Sequence, residues 1–505
     1  MAGVYDVAAV RQAEKLLMAG LPQGALMDRA ATGLADACAT LLREAGVDVV
    51  GSRIVLLIGS GNNGGDALYA GARLARRGAQ VRAICLSSTC HDGGAQALRE
   101  AGGRLTDAAH GHEVVAQADL VVDGIVGIGG RGGLRAEAAA MVAAAKESGA
   151  LIASVDIPSG VDANTGAVAD PTGVVDADAT VTFGCLKPGL LVAPGRDRAG
   201  AVIWVDIGLR PVLPDPKTHV LGADALAACV PEPAADDYKY SRGVVGVAAG
   251  SARYRGAAFM ATGSARFGNV GMVHVLDRGD GLAAAIVDRF WDVVVSTDAP
   301  ATVERATAWT VGPGLGIDAG GAATLSAVLA ANRPVVVDAD GLRMLREEGP
   351  WSALQSRSAP TVITPHQGEF AALGYHLGEG AESDRLGAAR AAASDLGVVV
   401  VLKGPGTVVA APGGVAYIDT WGGPELGVAG SGDVLAGLTG ALLAGAVARG
   451  DCPDADAAAH VAAAAVGLHG IAGRLAARDG CPVTAPDIIA ALPEAIGGVR
   501  RGVIT

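Results

Sequence analysis

The chain has 505 residues, half of them hydrophobic, and a single domain rarely exceeds about 250 to 300 residues, so more than one core is expected. Its net charge of -13, from 52 acidic and 39 basic side chains without a Lys/Arg run, argues against a nucleic-acid binder. The 7 cysteines form no CxxC pair and leave an odd count, which disfavours a zinc site or a disulfide framework and suits a reducing cytoplasm.

In chain order, residues 1–20 space Asp6, Arg11, Glu14 and Lys15 as an amphipathic helix does, with no apolar core of a signal peptide. Apolar, β-branched runs then alternate with helical patterns, and residues 53–59, 80–86, 119–126, 151–157, 179–183 and 202–207 read as strands of a parallel sheet covered on both faces. Pro211, Pro214 and Pro216 break the pattern, a second loose stretch follows at 231–237, and the domain boundary is placed between them. Strands resume at 243–249, 293–296, 334–339, 361–364 and 398–402. The uncharged stretches 434–448 and 457–473 are shorter than the roughly 20 apolar residues that span a bilayer, so they read as buried helices and no membrane partner is expected. Two α/β domains follow.

The first informative segment is Gly59-Ser-Gly-Asn-Asn-Gly-Gly-Asp66, between a strand and a helix carrying Arg73 and Arg76. Backbone N–H groups at a helix start favour phosphate. Gly59, Gly61 and Gly64 formally match GxGxxG, but the second strand ends Cys85-Leu86-Ser87 without the acidic residue of a classical dinucleotide fold, which disfavours an ordinary dehydrogenase. By itself the segment reads as Asx turns and a helix cap. Two further strand ends carry glycine and carboxylate loops, Asp123 to Gly132 and Asp156-Ile-Pro-Ser-Gly-Val-Asp162, and loops at carboxyl ends of parallel strands converge on one crevice.

With these three loops in order, residues 1–215 resemble the NAD(P)H-hydrate epimerase family, which implies a Rossmann-like three-layer domain. The resemblance implies that the hydrated dinucleotide is held by Asn62, Asn63, Gly64, Gly65 and Asp66 and by Gly127, Ile128, Gly129, Gly130, Arg131, Gly132 and Gly133. It also implies a potassium ion on Asn63, Asp123 and Ser159, an all-oxygen set suited to a hard cation, and a substrate-contacting carboxylate at Asp156. A positioned carboxylate contributes roughly 10²- to 10⁴-fold by moving a proton, so Asp156 is the first catalytic candidate for inversion at C6. Ala67 departs from the family's further glycine, and its methyl group could crowd the loop.

In the second half, Ala429-Gly-Ser-Gly-Asp433 opens a helix where glycine amides can stabilise a transferring phosphoryl group and Asp433 can accept a hydroxyl proton. Asp433 also reads as a plain helix N-terminal charge, and His366 alone as a structural histidine. Around it stand Lys403-Gly-Pro-Gly-Thr407, Gly312-Pro-Gly-Leu-Gly316 and Thr364-Pro-His-Gln-Gly-Glu369, preceded by Asp338-Ala-Asp-Gly-Leu342. Together they resemble the ribokinase-like ADP-dependent NAD(P)H-hydrate dehydratases, over residues 220–495, with the domain taken as 220–505. The resemblance implies that Ala257, Gly316, His366 and Asp433 contact the hydrated nicotinamide nucleotide, and Lys403, Gly404, Pro405, Gly406, Thr407 and Gly432 the adenine nucleotide. Asp433 would deprotonate the C6 hydroxyl for attack on ADP, with magnesium on the phosphate oxygens. The 421–426 segment departs from the family's usual approach to the GxGD loop.

The combined expectation is a cytoplasmic metabolite-repair enzyme, a homo-oligomer, acting on NADH hydrate and NADPH hydrate with ADP. Two rivals stay open: a ribokinase-like small-molecule kinase in the C-terminal half, and a non-catalytic dinucleotide-binding module in the N-terminal half.

Overall fold

In the run Arg53–Ile58 every residue after the first is buried, the pattern of a strand covered by helices on both faces. The computed structural model describes all residues except Arg131, Pro231, Asp280, Pro453 and Thr505, with the side chain of Glu348 also outside the description. The chain forms two units: Gly3–Lys217 with Gly378–Arg385, and Met1–Ala2 with Thr218–Leu377 and Leu386–Thr505.

Strands are numbered along the chain. After β1 (Ala2–Val4) the N-terminal unit contributes β2 (Arg53–Ile58), β3 (Gln80–Cys85), β4 (Arg104–Thr106), β5 (Leu120–Gly124), β6 (Leu151–Val155), β7 (Ala179–Phe183) and β8 (Ala201–Val205). They form a 7-stranded sheet in the order β4-β3-β2-β5-β6-β7-β8. All its pairings are parallel. The direction of winding reverses between β2 and β5, which opens a crevice at their carboxyl ends. Helices Ala25–Glu44 and Asn62–Arg76 bury their apolar stripes on one face, with Leu34, Leu42, Leu68 and Leu74 against Ile54, Leu56 and Ile58. Met141 and Val142 of helix Ala136–Ser148 pack with Val55, Leu57 and Val121 on the other face.

The second unit contains β9 (Thr218–Val220), β10 (Val244–Ala248), β11 (Met272–Leu276), β12 (Val294–Ser296), β13 (Ala308–Val311), β14 (Val335–Val337), β15 (Thr361–Ile363), β16 (Val399–Leu402), β17 (Val408–Ala410) and β18 (Ala416–Ile418). Its 11-stranded sheet runs β1-β9-β18-β17-β16-β15-β14-β13-β10-β11-β12. Strands β10 to β16 pair parallel, whereas β16, β17 and β18 pair antiparallel. Winding reverses here between β10 and β13. The first unit is thus Rossmann-like and the second a ribokinase-like α/β unit.

The sequence reading lacks β1, which precedes the helix expected over 1–20, and β4, β9, β11, β13, β17 and β18. All have three to five residues, too few for periodicity to separate a strand from a loop. In β13 the fully buried Trp309 and Thr310 interrupt the aliphatic signature.

Helices Ser431–Arg449 and Ala455–Ala476 have the length and apolarity to cross a bilayer, but 78% of each apolar window is buried inside the protein. They are core helices, and glycine lets them approach their neighbours. A methyl group on Gly437 would lie 2.0 Å from the carbonyl oxygen of Ala261 and 2.3 Å from Ser264 Oγ, both on helix Arg255–Ala265. Gly437→Ala should therefore destabilise the second unit: overpacking costs about 1–3 kcal/mol, more than the roughly 1 kcal/mol that alanine gains over glycine within a helix. Chemical denaturation followed by circular dichroism should show a lowered midpoint, and an unchanged or raised midpoint would refute the contact.

Candidate active sites

At the crevice between β2 and β5, the loops after these two strands meet backbone to backbone, and the loop after β6 joins them through Ser159, whose Oγ accepts from Val126 N at 2.9 Å. Gly59 leaves β2 so close to β5 that a Cβ there would fall 1.9 Å from the carbonyl oxygen of Ile125, and its N–H donates to Gly124 O at 3.1 Å. The helix then starts at Asn62 with Gly61 as its cap, and no side chain caps it. Asn62 and Asn63 therefore do not act as its N-cap. Asn63 packs against Gly127, where a Cβ would meet Asn63 Oδ1 at 2.7 Å, and its Nδ2 is buried with no hydrogen-bond partner. Ala67 is fully buried and faces Gly124, where a Cβ would come within 2.7 Å of its methyl carbon, so the missing side chain of Gly124 makes room for it.

Asp123, at the end of β5, is almost wholly buried and fully bonded. Oδ2 accepts from Ser154 Oγ at 2.9 Å and Ser159 N at 2.9 Å; Oδ1 accepts from Ser159 Oγ at 2.6 Å and Ile125 N at 3.2 Å. Desolvation still holds its pKa above the ordinary carboxylate value, against the pull of these bonds. Asp123 and Ser159 are thus brought together, with Asn63 on the neighbouring turn. The orphaned Asn63 amide fits a cation-binding role: turned over, it offers an oxygen beside a carboxylate and a hydroxyl. Gly130, Gly132 and Gly133 line a cleft with Gly160 and Asp162. Arg131 lies outside the described residues.

Asp156 follows β6 with φ 67°, a conformation uncommon for a residue with a side chain. Its Oδ1 accepts from Lys187 Nζ at 2.6 Å, Thr182 Oγ1 at 3.1 Å and Phe183 N at 3.2 Å. Two more carboxyls share the neighbourhood. Desolvation, with the charge of Asp156, raises Glu14; desolvation, with Asp156 and Glu14, raises Asp66 well above the ordinary value. Lys187 and Glu14 were missed from sequence. The available signal is that Lys187 is the one charged residue between Asp178 and Arg196, and a lone charge in an apolar run marks a buried, paired group.

In the second unit the loops after β10, β13, β14, β15 and β16 converge. Gly250 N donates to Pro313 O at 2.7 Å, and Arg278 Nη1 donates to Gly250 O at 2.9 Å and Leu315 O at 2.8 Å, tying the two sides of the winding reversal together. Ala257 abuts Gly314, and Gly316 N donates to Asp340 Oδ2 at 2.9 Å. Asp338, 1% exposed, accepts from Lys403 Nζ at 2.8 Å, with Glu369 Oε2 at 3.8 Å from the same ammonium. Desolvation disfavours the charged Lys403, but Asp338 and Glu369 outweigh it and its pKa is raised.

Asp433 sits in the first turn of helix Ser431–Arg449, where no side-chain cap bond forms, so it is not a capping residue. Its carboxyl is pushed up to about 7 by desolvation and by the negative charge of Asp338, with Lys403 opposing and Asp340 and Glu369 adding. A Cβ on Gly432 would lie 3.2 Å from Lys403 Nζ, which places the glycine turn over the Lys403–Asp338 pair. Ser431 Oγ meets His469 Nε2 at 3.2 Å, and burial lowers that imidazole to about 4, so it is neutral.

His366 serves the backbone of the helix that it starts. Its Nδ1 accepts from Gly368 N at 3.0 Å and Glu369 N at 3.2 Å in a capping box, while its ring stays exposed. In the 403–407 loop Gly404 and Pro405 are exposed, and Thr407 Oγ1 closes the turn on Gly404 O at 3.0 Å. The 421–426 segment is a fixed wall, with Trp421 Nε1 donating to Leu221 O at 2.8 Å. Asp338, Asp340, Glu369 and His469 were not singled out from sequence as site residues. Among the described residues no group of three or more His, Cys, Asp or Glu side chains is placed to hold a metal.

Residues 23–189 match the family model described as YjeF-related protein N-terminus, and residues 245–494 match that described as NAD(P)H-hydrate dehydratase. The bifunctional NAD(P)H-hydrate repair enzyme Nnr of Mycobacterium tuberculosis (strain ATCC 25618 / H37Rv) is 46% identical over 450 residues, 88% of this chain and 90% of that protein. The protein of the same name from Corynebacterium glutamicum is 34% identical over 582 residues, 99% of each. A crystal structure of an ADP/ATP-dependent NAD(P)H-hydrate dehydratase from Bacillus subtilis, co-crystallised with ATP and Mg2+, aligns with TM-score 0.47 and 26% identity over 55% of this chain and 98% of that one. With a site in each of two α/β units, and with similarity to these relatives along nearly the whole chain, the chain belongs to the family of bifunctional NAD(P)H-hydrate repair enzymes, which join an epimerase to a dehydratase.

Proposed function

We propose that Asp156 moves the proton at the C6 hydroxyl during epimerisation of NADH and NADPH hydrates, and that Asp433 is the base of an ADP-dependent dehydration of the S epimer. The observation that carries the second assignment is a carboxyl raised to about 7 in the first turn of a glycine-started helix, beside the Lys403–Asp338 pair. A base poised near working pH combines adequate ionisation with proton affinity.

Asp433 takes the C6 hydroxyl proton as that oxygen attacks the terminal phosphorus of ADP, and AMP leaves. The ring nitrogen lone pair then breaks the C6–O bond and expels inorganic phosphate, and loss of a C5 proton restores the dihydronicotinamide. The backbone N–H groups of Gly430 and Gly432 face the developing negative charge. A magnesium ion bound with the nucleotide would supply charge neutralisation there. Lys403 is engaged by Asp338, so its charge acts beside Asp433, while the turn of Gly404, Pro405, Gly406 and Thr407, exposed at Gly404 and Pro405, offers backbone to the nucleotide. Ala257, in the first turn of helix Arg255–Ala265, borders the hydrated nicotinamide with Gly316 and His366 on two of the converging loops.

In the N-terminal unit, Asn62 to Asp66 and the 127–133 loop hold the hydrated dinucleotide, and Asn63, Asp123 and Ser159 would hold a potassium ion, whose positive charge would draw the Asn63 turn toward the end of β5. The unbonded Oδ2 of Asp156 is the atom that exchanges the proton. Residues 1–215 would carry epimerisation and 220–505 dehydration. All seven cysteines are free, which supports a cytoplasmic location; we further propose a homo-oligomer without nucleic-acid or membrane partners.

Incubating mixed R and S NADPH hydrates with ADP, magnesium and potassium should restore the full dihydronicotinamide absorbance. With Asp156→Ala, recovery should stop at the S fraction for as long as spontaneous epimerisation is slow; complete recovery at the parent rate would remove Asp156 from the chemistry. Recovery driven by ATP but not ADP would overturn the choice of donor.

The dehydratase kcat/KM should rise with pH to a plateau through a midpoint near 7, because the base works only when ionised. Asp433→Asn should lower turnover by about 10²- to 10⁴-fold while nucleotide still binds. Lys403→Met should move the midpoint upward, since Asp338, Asp340 and Glu369 then repel an ionised Asp433 without a counter-charge. A profile that is flat between pH 5 and 9, or an Asn variant with undiminished turnover, would exclude Asp433 as the base.

A further inference from the structure

Lys187 is among the most deeply buried side chains of the molecule, 1% exposed, on the loop between β7 and β8. That loop is fixed from several sides. Tyr5 N donates to Leu186 O at 2.9 Å, Gly189 N donates to Ala163 O at 2.8 Å, and a Cβ on Gly189 would fall 2.2 Å from Asp162 O. The lysine stem therefore has one course, inward toward the end of β6.

A buried ammonium is tolerated only when its protons are matched, and here all three are. Nζ donates to Asp156 Oδ1 at 2.6 Å, Thr182 Oγ1 at 2.9 Å and Phe183 O at 2.8 Å. No proton remains for a substrate, so Lys187 acts through Asp156 alone. Thr182 Oγ1 and Phe183 N donate to the same Oδ1, so three donors hold one carboxylate oxygen and Oδ2 makes no hydrogen bond among the described residues. The backbone at Asp156, with φ 67°, turns the side chain toward these donors. A buried ion pair is weak evidence for stability, because apolar residues of similar volume commonly do as well. What this pair supplies is a fixed orientation.

We infer that Lys187 is a positioning residue of the epimerase centre, locking Oδ1 of Asp156 into the protein so that Oδ2 alone is presented to the C6 hydroxyl. This rests on the assignment of Asp156 as the proton-moving group. The groups facing Asp156 are Glu14 of helix Val7–Met18, Asp66 of helix Asn62–Arg76, Thr182 of β7, and Cys185 and Lys187 of the following loop, with Arg11 acting on Glu14. Lys187 is the cation bonded to Asp156. Removing the ammonium therefore frees the carboxylate to rotate and takes away the counter-charge that it holds among the carboxyls of Glu14 and Asp66.

The test uses the full chain with potassium and R-NADPH hydrate, without nucleotide, and follows formation of the S epimer by chromatography across pH 5 to 9. Lys187→Met should lower kcat by about 10²-fold, the scale of a small misplacement of a reacting group. KM should change little, and the acid limb of the profile should move to higher pH. Lys187→Ala should regain activity when ethylammonium is added. Dehydratase turnover, measured separately on the S epimer with ADP, reports that the second unit is intact, and the thermal transition of the first unit by circular dichroism reports that it is folded. A Lys187→Met variant with parent rate and profile overturns the inference. So does a slowed variant whose acid limb is unmoved and whose alanine counterpart gains nothing from the amine, because that is a structural role. If neither lysine variant folds, Thr182→Val decides: a smaller upward shift of the acid limb supports the inference and an unmoved limb overturns it. Asp156→Asn separates the two readings, since parent-level epimerisation in that variant removes Asp156 itself whatever Lys187 does.

Discussion

Each unit of this protein depends on a lysine ammonium buried against an aspartate at the carboxyl ends of parallel strands. Lys187 meets Asp156 in the first unit and Lys403 meets Asp338 in the second. Either charge alone in such a place would be strongly disfavoured, and together they are tolerable only in good geometry with their remaining valences filled. That requirement constrains the surrounding loops. In the first unit it ties β7 and the loop after it to the end of β6; in the second it ties the end of β16 to the end of β14, with Glu369 from the loop after β15 close to the same ammonium.

The two pairs differ in which carboxylate receives the lysine, and the difference suits two kinds of proton transfer. Asp156 is itself the partner of Lys187. In the second unit Lys403 spends its short contact on Asp338, so Asp433 feels desolvation and three neighbouring carboxylates with only part of a counter-charge and rises to about 7. Its pKa is set less by any single bond than by which neighbour took the cation. Both arrangements follow from the same sheet logic: a reversal of winding, between β2 and β5 in one unit and β10 and β13 in the other, leaves the strand ends open for loops to fill.

Glycine plays separate parts in these loops and in the core. At Gly59 the β2 turn must pass Ile125 at backbone distance, and at Gly437 two helices touch through their main chains. The first brings the Asn62–Asp66 turn against the loop from Asp123; the second settles a long apolar helix inside the protein. The departure from the family pattern at Ala67 fits the same steric logic, since its methyl group faces Gly124, which has no side chain to oppose it.

Much of this was legible without coordinates. Apolar runs ending in Asp123, Asp156, Asp338 or Lys403 read as strand ends, because a buried parallel strand is continuous in its hydrophobicity and a charge marks where it emerges. The turns of residues 59–66 and 429–433 read as helix starts from their glycines. Three-residue strands such as β9 and β17 were not legible, because they form only when neighbours offer hydrogen bonds to complete. Nor was the side chain of Asn63, which reads locally as an Asx turn yet lies orphaned against Gly127. Sequence alone determined which residues could bear the chemistry, since composition, strand ends and glycine turns are local properties. Only the tertiary structure decided which charge meets which: that Lys187 seizes Asp156 across 31 positions, that Lys403 takes Asp338 across 65, and that Asp433 is left to rise. Electrostatic energy in a buried site depends on distance and desolvation through space, and neither is encoded in the spacing of residues along a chain.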